Sequence, residues 1–82
     1  IKEYGMDTIE IHADAIDEND IILLHDDLLA TGGTMDAACK LVKKFHPKKI
    51  YCNFIIELET EFPNARKVFE DQGIEVTSLL KF

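Results

Sequence analysis

The stretch 21–34 constrains this chain more than any other, because few folds accommodate its order of residue types. It reads Ile-Ile-Leu-Leu-His-Asp-Asp-Leu-Leu-Ala-Thr-Gly-Gly-Thr: an apolar run, two adjacent carboxylates, then a loop of small residues. The run Ile21–Leu24 is typical of a parallel strand covered on both faces. We therefore expect Asp26 and Asp27 at the carboxyl edge of a sheet, where open α/β sheets bind their ligands.

The loop after the carboxylates has the composition of a phosphate-binding turn. Gly32 and Gly33 allow backbone conformations closed to other residues and have no Cβ, so a ligand oxygen can approach the main chain closely. Thr31 and Thr34 add hydroxyl donors. A helix beginning near Gly33 would point its free amide groups and the positive end of its dipole at the same place.

The two carboxylates suit a different part of the same ligand. Because carboxylates repel phosphate, Asp26 and Asp27 are expected to accept hydrogen bonds from neutral hydroxyl groups. Two vicinal hydroxyls beside a phosphate describe a ribose 5-phosphate. The residues alone thus predict a sugar-phosphate site.

The remaining pattern alternates between strands and helices. Strands are predicted at Thr8–His12, Ile21–Leu24, Ile50–Leu58 and Glu75–Leu80. A first helix is predicted from Thr34 to about Phe45, before His46-Pro47. A second begins near Pro63, places Val68 and Phe69 on its inner face and ends before Gly73. This order predicts an α/β fold with a parallel sheet and right-handed βαβ crossovers.

The segment Asp-Asp-Leu-Leu-Ala-Thr-Gly-Gly-Thr resembles the phosphoribosyl pyrophosphate signature of the type I phosphoribosyltransferases. Flanking segments are similar to those of the adenine-specific members of that family. They are Glu3-Tyr4-Gly5, Ile9–Ile16, Met35–Val42, Ile56-Glu57-Leu58 and Ser78-Leu79-Leu80. The resemblance covers nearly all 82 residues.

The resemblance implies that residues 1–82 are the C-terminal part of a single phosphoribosyltransferase domain with a Rossmann-like fold. The N-terminal part, absent from this chain, would be its structural partner. The implied activity belongs to purine salvage: transfer of the 5-phosphoribosyl group from phosphoribosyl pyrophosphate to adenine, giving AMP and pyrophosphate. The alternatives are an enzyme for another base (xanthine, orotate or uracil) and a non-catalytic regulator that senses phosphoribosyl pyrophosphate.

The resemblance also assigns roles to individual residues. The expected catalytic residues are Glu3, Asp26 and Asp27. Phosphoribosyl pyrophosphate and AMP would be bound by Asp26, Asp27, Leu29, Ala30, Thr31, Gly32, Gly33 and Thr34. Glu3 would lie at the end of a mobile loop and move a proton at the purine nitrogen. Mg²⁺ is the expected cofactor, held by substrate oxygens and water rather than by a protein cage.

Composition limits the other function classes. A net charge of −7 argues against an electrostatic nucleic-acid binder. No apolar run approaches the ~20 residues of a membrane span, so no membrane contact and a cytoplasmic location are predicted. The two cysteines, Cys39 and Cys52, lack metal-ligand spacing and are interpreted as small buried residues. A homodimer is inferred only from the resemblance.

Several side chains near the carboxylates carry simpler predictions. His25 takes the place of the small aliphatic residue usual in the family, and we expect it to be buried and bonded to the backbone. Leu28 and Leu29 are expected to pack under the loop. A set of three glutamates is predicted to form a solvated rim; its members are Glu57, Glu59 and Glu61.

Overall fold

Four parallel strands and two helices make up the part of the chain, residues 1–6 and 16–82, that the computed structural model describes. Their bounds are β1 Lys2–Gly5, β2 Ile21–Leu29, α1 Gly33–Lys43, β3 Lys49–Glu57, α2 Ala65–Glu70 and β4 Glu75–Lys81. Neither helix of this described part has the length and apolar character needed to cross a membrane.

The strands form one sheet in the order β1-β2-β3-β4, and every neighbouring pair is parallel. α1 connects β2 to β3, and α2 connects β3 to β4. The register aligns Leu24 with Cys52 and Cys52 with Val76, so like positions stack across the sheet. The predicted α/β fold with a parallel sheet is confirmed.

The core lies between one face of this sheet and the two helices. Alternate residues of the strands point to that face because side chains of a strand alternate between its two sides. The buried strand residues include Ile22, Leu24, Cys52 and Phe54, all at most 1% exposed. The helices contribute Met35, Cys39, Val42 and Phe69. These residues of α1, together with Ala38, form its buried face.

The first helix ends at Lys43, two residues before the predicted end. The chain then tightens, since the amides of Phe45 and His46 donate to the carbonyls of Val42 and Lys43, three residues back. His46 adopts a positive φ of 52° immediately before Pro47. The regular helix therefore ends at Lys43, four residues before Pro47, and a turn at His46 separates the two.

The strands differ from the prediction in two respects. β1, which pairs along Ile22 to His25 of β2, was not predicted. β2 extends beyond Leu24 to Leu29, so Asp26 and Asp27 lie inside the strand rather than at its end. The apolar run hid this extension because the polar residues that follow it have low strand propensity. The predicted strand at Thr8–His12 lies outside the described residues.

Three side-chain predictions are also wrong. Val68 is 41% exposed, whereas Phe69 is fully buried, so only the phenylalanine of this pair faces the core. His25 is exposed because it alternates with the buried Leu24 and points to the sheet face away from the helices. Leu28 is exposed as well, and only Leu29 packs under the loop.

Candidate phosphate-binding site

A small cavity lies where β2 ends and α1 begins. Its volume is about 130 Å³. The lining residues come from the end of β2, the connecting loop, the start of α1 and the neighbouring strand β3: Asp26, Leu28, Ala30, Thr31, Gly32, Gly33, Thr34, Met35 and Phe54. The sheet therefore brings Asp26, one of the two predicted carboxylates, and the small-residue loop to a common edge.

The loop ends in a left-handed residue that starts the helix. Gly32 is the N-cap of α1, with φ 85° and ψ −1°, and its carbonyl accepts the amide of Asp36 at 2.9 Å. No described residue accepts a hydrogen bond from the amides of Thr34 or Met35. These groups belong to the first turn, where a helix has no internal acceptors and favours an anion.

The two glycines serve different purposes. Gly32 needs its positive φ, and a Cβ there would also come within 3.2 Å of the Phe69 ring. Gly33 is helical, and a Cβ added to it would meet only the Thr31 hydroxyl, at 3.8 Å. The first glycine therefore shapes the turn, whereas the second leaves space beside the Thr31 hydroxyl.

The two carboxylates are placed unequally. Asp26 is half-buried and lines the cavity, and its Oδ1 accepts the Asp27 amide at 2.8 Å. Asp27 is exposed and does not line the cavity. The hydrogen bond from the Asp27 amide holds the Asp26 carboxylate close to the strand. The other carboxylate oxygen accepts no hydrogen bond from the described residues.

The other predicted ligand residues fall into two groups. Ala30, Thr31 and Thr34 line the cavity, and the Thr31 hydroxyl accepts the Gly33 amide at a long 3.4 Å. Leu29 does not line it: its side chain is buried and its carbonyl accepts the Leu58 amide at 3.0 Å.

Glu3 lies in strand β1 and not in a loop, contrary to prediction. It is exposed and pairs in register with Leu23, three residues before Asp26. That offset corresponds to about 10 Å along a strand. Neighbouring Tyr4 is half-buried and packs against the core, which agrees with a structural role for its ring.

An ion pair between β3 and α2 was not predicted. Glu57, expected on a solvated rim, is only 3% exposed and accepts two hydrogen bonds from Arg66, at 2.7 and 3.2 Å. Ser78 donates a third at 2.7 Å, and the same guanidinium reaches the Val76 carbonyl. The bonds from Arg66 hold the pKa of Glu57 below its usual value. Glu59 and Glu61 are exposed, as predicted.

This network ties α2 to the carboxyl end of β3 and to Val76 and Ser78 in the first four residues of β4. One signal in the sequence pointed to it: Arg66 is the chain's single arginine, and Glu57 interrupts an apolar run on a buried strand. A buried carboxylate requires a partner. The spacing of 57 and 66 alone could not reveal the contact, because it depends on how α2 folds back.

A second link joins the two helices. Gln72, just after α2, donates to Asp36 in the first turn of α1 at 3.0 Å and to the Val68 carbonyl at 2.7 Å. Lys40 pairs with the same aspartate at 3.0 Å. The bonds from Gln72 and Lys40 lower the pKa of Asp36. The first turn of α1 is therefore linked through Asp36 to Gln72, which follows α2.

Comparison with known proteins assigns the chain to a family. Residues 2–78 match the model of the phosphoribosyl transferase domain. The chain belongs to the phosphoribosyltransferase family. The predicted family is thereby confirmed.

Curated relatives of the chain are named adenine phosphoribosyltransferase. The one from Bacteroides fragilis is 65% identical over 80 residues, and the one from Bacteroides thetaiotaomicron is 66% identical over 79 residues. In both cases 96% of this chain is covered, but only 44% and 43% of the relative. This chain thus spans less than half the length of these relatives.

Solved structures of the same name share the fold. The adenine phosphoribosyltransferase of Rhodothermus marinus aligns with a TM-score of 0.71 at 36% identity, covering 87% of this chain and 39% of that chain. The enzyme of Giardia lamblia, solved in complex with 9-deazaadenine, aligns with a TM-score of 0.74 at 30% identity, covering 85% and 39%. The described sheet and helices are therefore part of a type I phosphoribosyltransferase fold.

The described part of the chain offers no cluster of three or more His, Cys, Asp or Glu side chains that could hold a metal ion. Asp26 is the one carboxylate among the residues that line the cavity. This donor set fits a divalent cation that is carried mainly by substrate oxygens and water.

Proposed function

We propose that this chain is the C-terminal part of an adenine phosphoribosyltransferase of purine salvage. The enzyme would transfer a 5-phosphoribosyl group from phosphoribosyl pyrophosphate to N9 of adenine, giving AMP and pyrophosphate. The observation that carries the proposal is the Asp26 carboxylate beside the open amides of the first turn of α1. The names of the relatives from Bacteroides, at 65% and 66% identity, support adenine as the base.

The ribose 5-phosphate would be held by two kinds of group. Thr34 and Met35 would donate their main-chain amides to the phosphate, assisted by the hydroxyls of Thr31 and Thr34. Asp26 would accept a hydrogen bond from a ribose hydroxyl, and Asp27 would take the neighbouring hydroxyl once substrate draws it inward. The main chain of Leu29 to Gly33 would follow the outline of the sugar phosphate.

The same carboxylates would assist the chemical step. The bond between C1 of the ribose and the pyrophosphate oxygen breaks, the bonding electrons leave with pyrophosphate, and N9 of adenine bonds to C1. Positive charge develops on the ribose ring in between, and the negative charges of Asp26 and Asp27 favour it electrostatically. Bound Mg²⁺ would neutralise the pyrophosphate that leaves.

Glu3 would move the proton at the purine nitrogen. Its place on β1, on the side of the sheet next to β2, puts it on the strand that flanks the ligand-bearing strand. Because the side chain is exposed among the described residues, such a role needs a segment that covers it and raises its proton affinity. The N-terminal part of the domain would supply that cover.

Three further features belong to the same proposal. The complete enzyme would be a single domain made of this chain and an N-terminal part, would form a homodimer and would reside in the cytoplasm. Neither nucleic acid nor membrane would be a partner. The family membership supports these proposals, and none follows from the described residues alone.

The deciding experiment is a forward assay on the full-length protein. Phosphoribosyl pyrophosphate and Mg²⁺ are supplied with adenine, guanine, xanthine, orotate or uracil in separate reactions, and the nucleotide product is identified by chromatography. We expect AMP from adenine alone. Product from another base but not from adenine would replace the proposed substrate. Binding of phosphoribosyl pyrophosphate without product from any base would favour the sensing regulator.

A further inference from the structure

The chain's two cysteines meet in the core. The Sγ atoms of Cys39, on α1, and Cys52, on β3, are 3.4 Å apart, and both residues are 0% exposed. Cys52 stands between Leu24 and Val76 in the register of the sheet. The pair therefore lies where α1 packs on the middle of the sheet.

Packing alone does not require two thiols at this place. Two small apolar residues, such as alanine or valine, would fill the same space. Two thiols within hydrogen-bond distance add a chemical capacity that alanine or valine lacks. The sulfur atoms of a disulfide are about 2.05 Å apart, so these two need to approach by little more than ~1 Å.

We propose that Cys39 and Cys52 form a reversible redox site, in which oxidation by a peroxide joins them in a disulfide that ties α1 to β3. The overall reaction consumes the two thiols and one hydrogen peroxide and yields one disulfide and two waters. A cellular thiol would restore the reduced state by disulfide exchange.

The first step is assigned to Cys39 because this residue lies on α1, whereas Cys52 lies in the sheet. Its sulfur attacks one peroxide oxygen, the O–O bond breaks, and the thiol proton leaves with the departing oxygen as water. The sulfur of Cys52 then attacks the resulting sulfenic acid, the S–O bond breaks, and a second water departs with the remaining thiol proton. The hydrogen bond between the thiols lowers the pKa of Cys39, and that bond together with burial raises the pKa of Cys52.

Burial sets the rate of this reaction. Because neither sulfur is exposed, peroxide reaches the pair only when α1 moves away from the sheet. The oxidation is therefore expected to be slow in the folded protein and faster under conditions that loosen α1 locally. Once formed, the disulfide would oppose that loosening.

The cross-link would also act on the phosphate-binding loop. Cys39 lies six residues after Gly33, about 9 Å along the helix axis, and a helix transmits a displacement over that length. Drawing Cys39 toward β3 would shift the amides of Thr34 and Met35. This consequence rests on the proposed function, whereas the disulfide itself does not.

Peptide mapping tests the disulfide without reference to activity. The reduced full-length protein is treated with hydrogen peroxide under native conditions, alkylated and digested without reductant. We expect a cross-linked peptide pair containing Cys39 and Cys52 and lacking the mass of two hydrogen atoms, and its disappearance after dithiothreitol. Sulfinic acid at either cysteine in place of the cross-link, or a cross-link that forms only in denaturant, would overturn the proposal.

Single variants test the order of the two steps and the effect on the loop. In Cys52→Ala, the sulfenic acid should persist at Cys39 and react with dimedone, whereas Cys39→Ala should leave Cys52 unlabelled. Peroxide should weaken ribose 5-phosphate binding by the unmodified protein roughly tenfold, whereas neither variant should show this loss because neither can form the cross-link. A cross-link with unchanged binding would remove the effect on the loop but keep the redox site. Labelling of Cys52 alone would reverse the assigned order.

Discussion

The ring of Phe69 lies directly against the turn at Gly32, where a Cβ atom would come within 3.2 Å of ring carbon Cε2. Phe69 is itself fully buried and packs against Phe54 with ring centroids 6.3 Å apart. The turn that starts α1 is therefore supported by side chains of α2 and β3, two elements that follow it much later in the sequence. Its shape depends on this aromatic support.

Gly32→Ala should destabilise the protein and weaken phosphate binding. A left-handed conformation costs a residue with a Cβ roughly 1–2 kcal/mol, and the contact with Phe69 adds to that cost. We expect the free energy of unfolding in urea to fall by at least this amount. Ribose 5-phosphate affinity, measured by calorimetry, should fall as well because the turn must change.

Gly33→Ala is the matched control. This residue is helical, so alanine should raise the free energy of unfolding by up to about 1 kcal/mol. The added methyl group lies 3.8 Å from the Thr31 hydroxyl, in the lining of the cavity, so affinity for ribose 5-phosphate should still fall. Equal stability losses in the two variants would contradict the distinction between a turn-forming and a space-giving glycine.

Phe69→Leu should partly relieve Gly32→Ala. The smaller side chain removes the ring atoms that a Cβ at position 32 would meet. In a double-mutant cycle of unfolding free energies we expect a favourable coupling of about 0.5 kcal/mol or more, as for residues in contact. Strictly additive effects would mean that Phe69 does not support the turn.

The sequence predicted the loop and the two helices because both depend on local rules. A pair of glycines favours a turn, here formed at Gly32, and the apolar residues of α1 follow the helical period. The place of Asp26 at the ligand-binding edge of the sheet was also predictable, since parallel strands bring their carboxyl ends to one edge. These features require no knowledge of distant contacts.

The features that sequence reasoning missed depend on partners far along the chain. β1 is too short to show a period, and its pairing with β2 alone makes it a strand. His25 looked like a core residue because its apolar neighbours suggested burial on both faces. Glu57 looked solvated because the arginine that neutralises it lies on another element.

The Arg66–Glu57 pair should make stability depend on acidity. Because the folded-state pKa of Glu57 lies below its usual value of 4.5, the ionised carboxylate stabilises the folded protein above that pH. This contribution is lost as pH falls below 4.5 and through the lowered folded pKa. Urea unfolding between pH 7 and pH 2 should therefore show a decline that Glu57→Gln reduces.

Removal of the guanidinium provides the complementary measurement. Arg66→Met leaves the carboxylate buried without its charged partner, and we expect a loss of about 3 kcal/mol or more at neutral pH. Ser78→Ala removes one neutral donor and should cost about 1 kcal/mol. A smaller effect from Arg66→Met than from Ser78→Ala would show that the ion pair does not hold α2 in place.

Asp26→Asn and Asp27→Asn should differ in their effect on ribose recognition. Asp26 lines the cavity and is fixed by the Asp27 amide, whereas the Asp27 side chain is exposed and must reorient to reach a ligand. We expect Asp26→Asn to raise the KM for phosphoribosyl pyrophosphate roughly tenfold, the larger of the two effects, in line with loss of about 1.4 kcal/mol. Steady-state kinetics on the full-length protein check this.

The double variant separates the sugar site from the fold. Asn is nearly the same size as Asp, so circular dichroism and the free energy of unfolding should stay close to those of the unmodified protein, while ribose recognition is severely reduced. Since the phosphate amides are untouched, affinity for inorganic phosphate should be kept or rise as two negative charges disappear. Unchanged kinetics in the double variant would reject the role of both carboxylates, because no other acidic side chain lines the cavity in the described part of the chain.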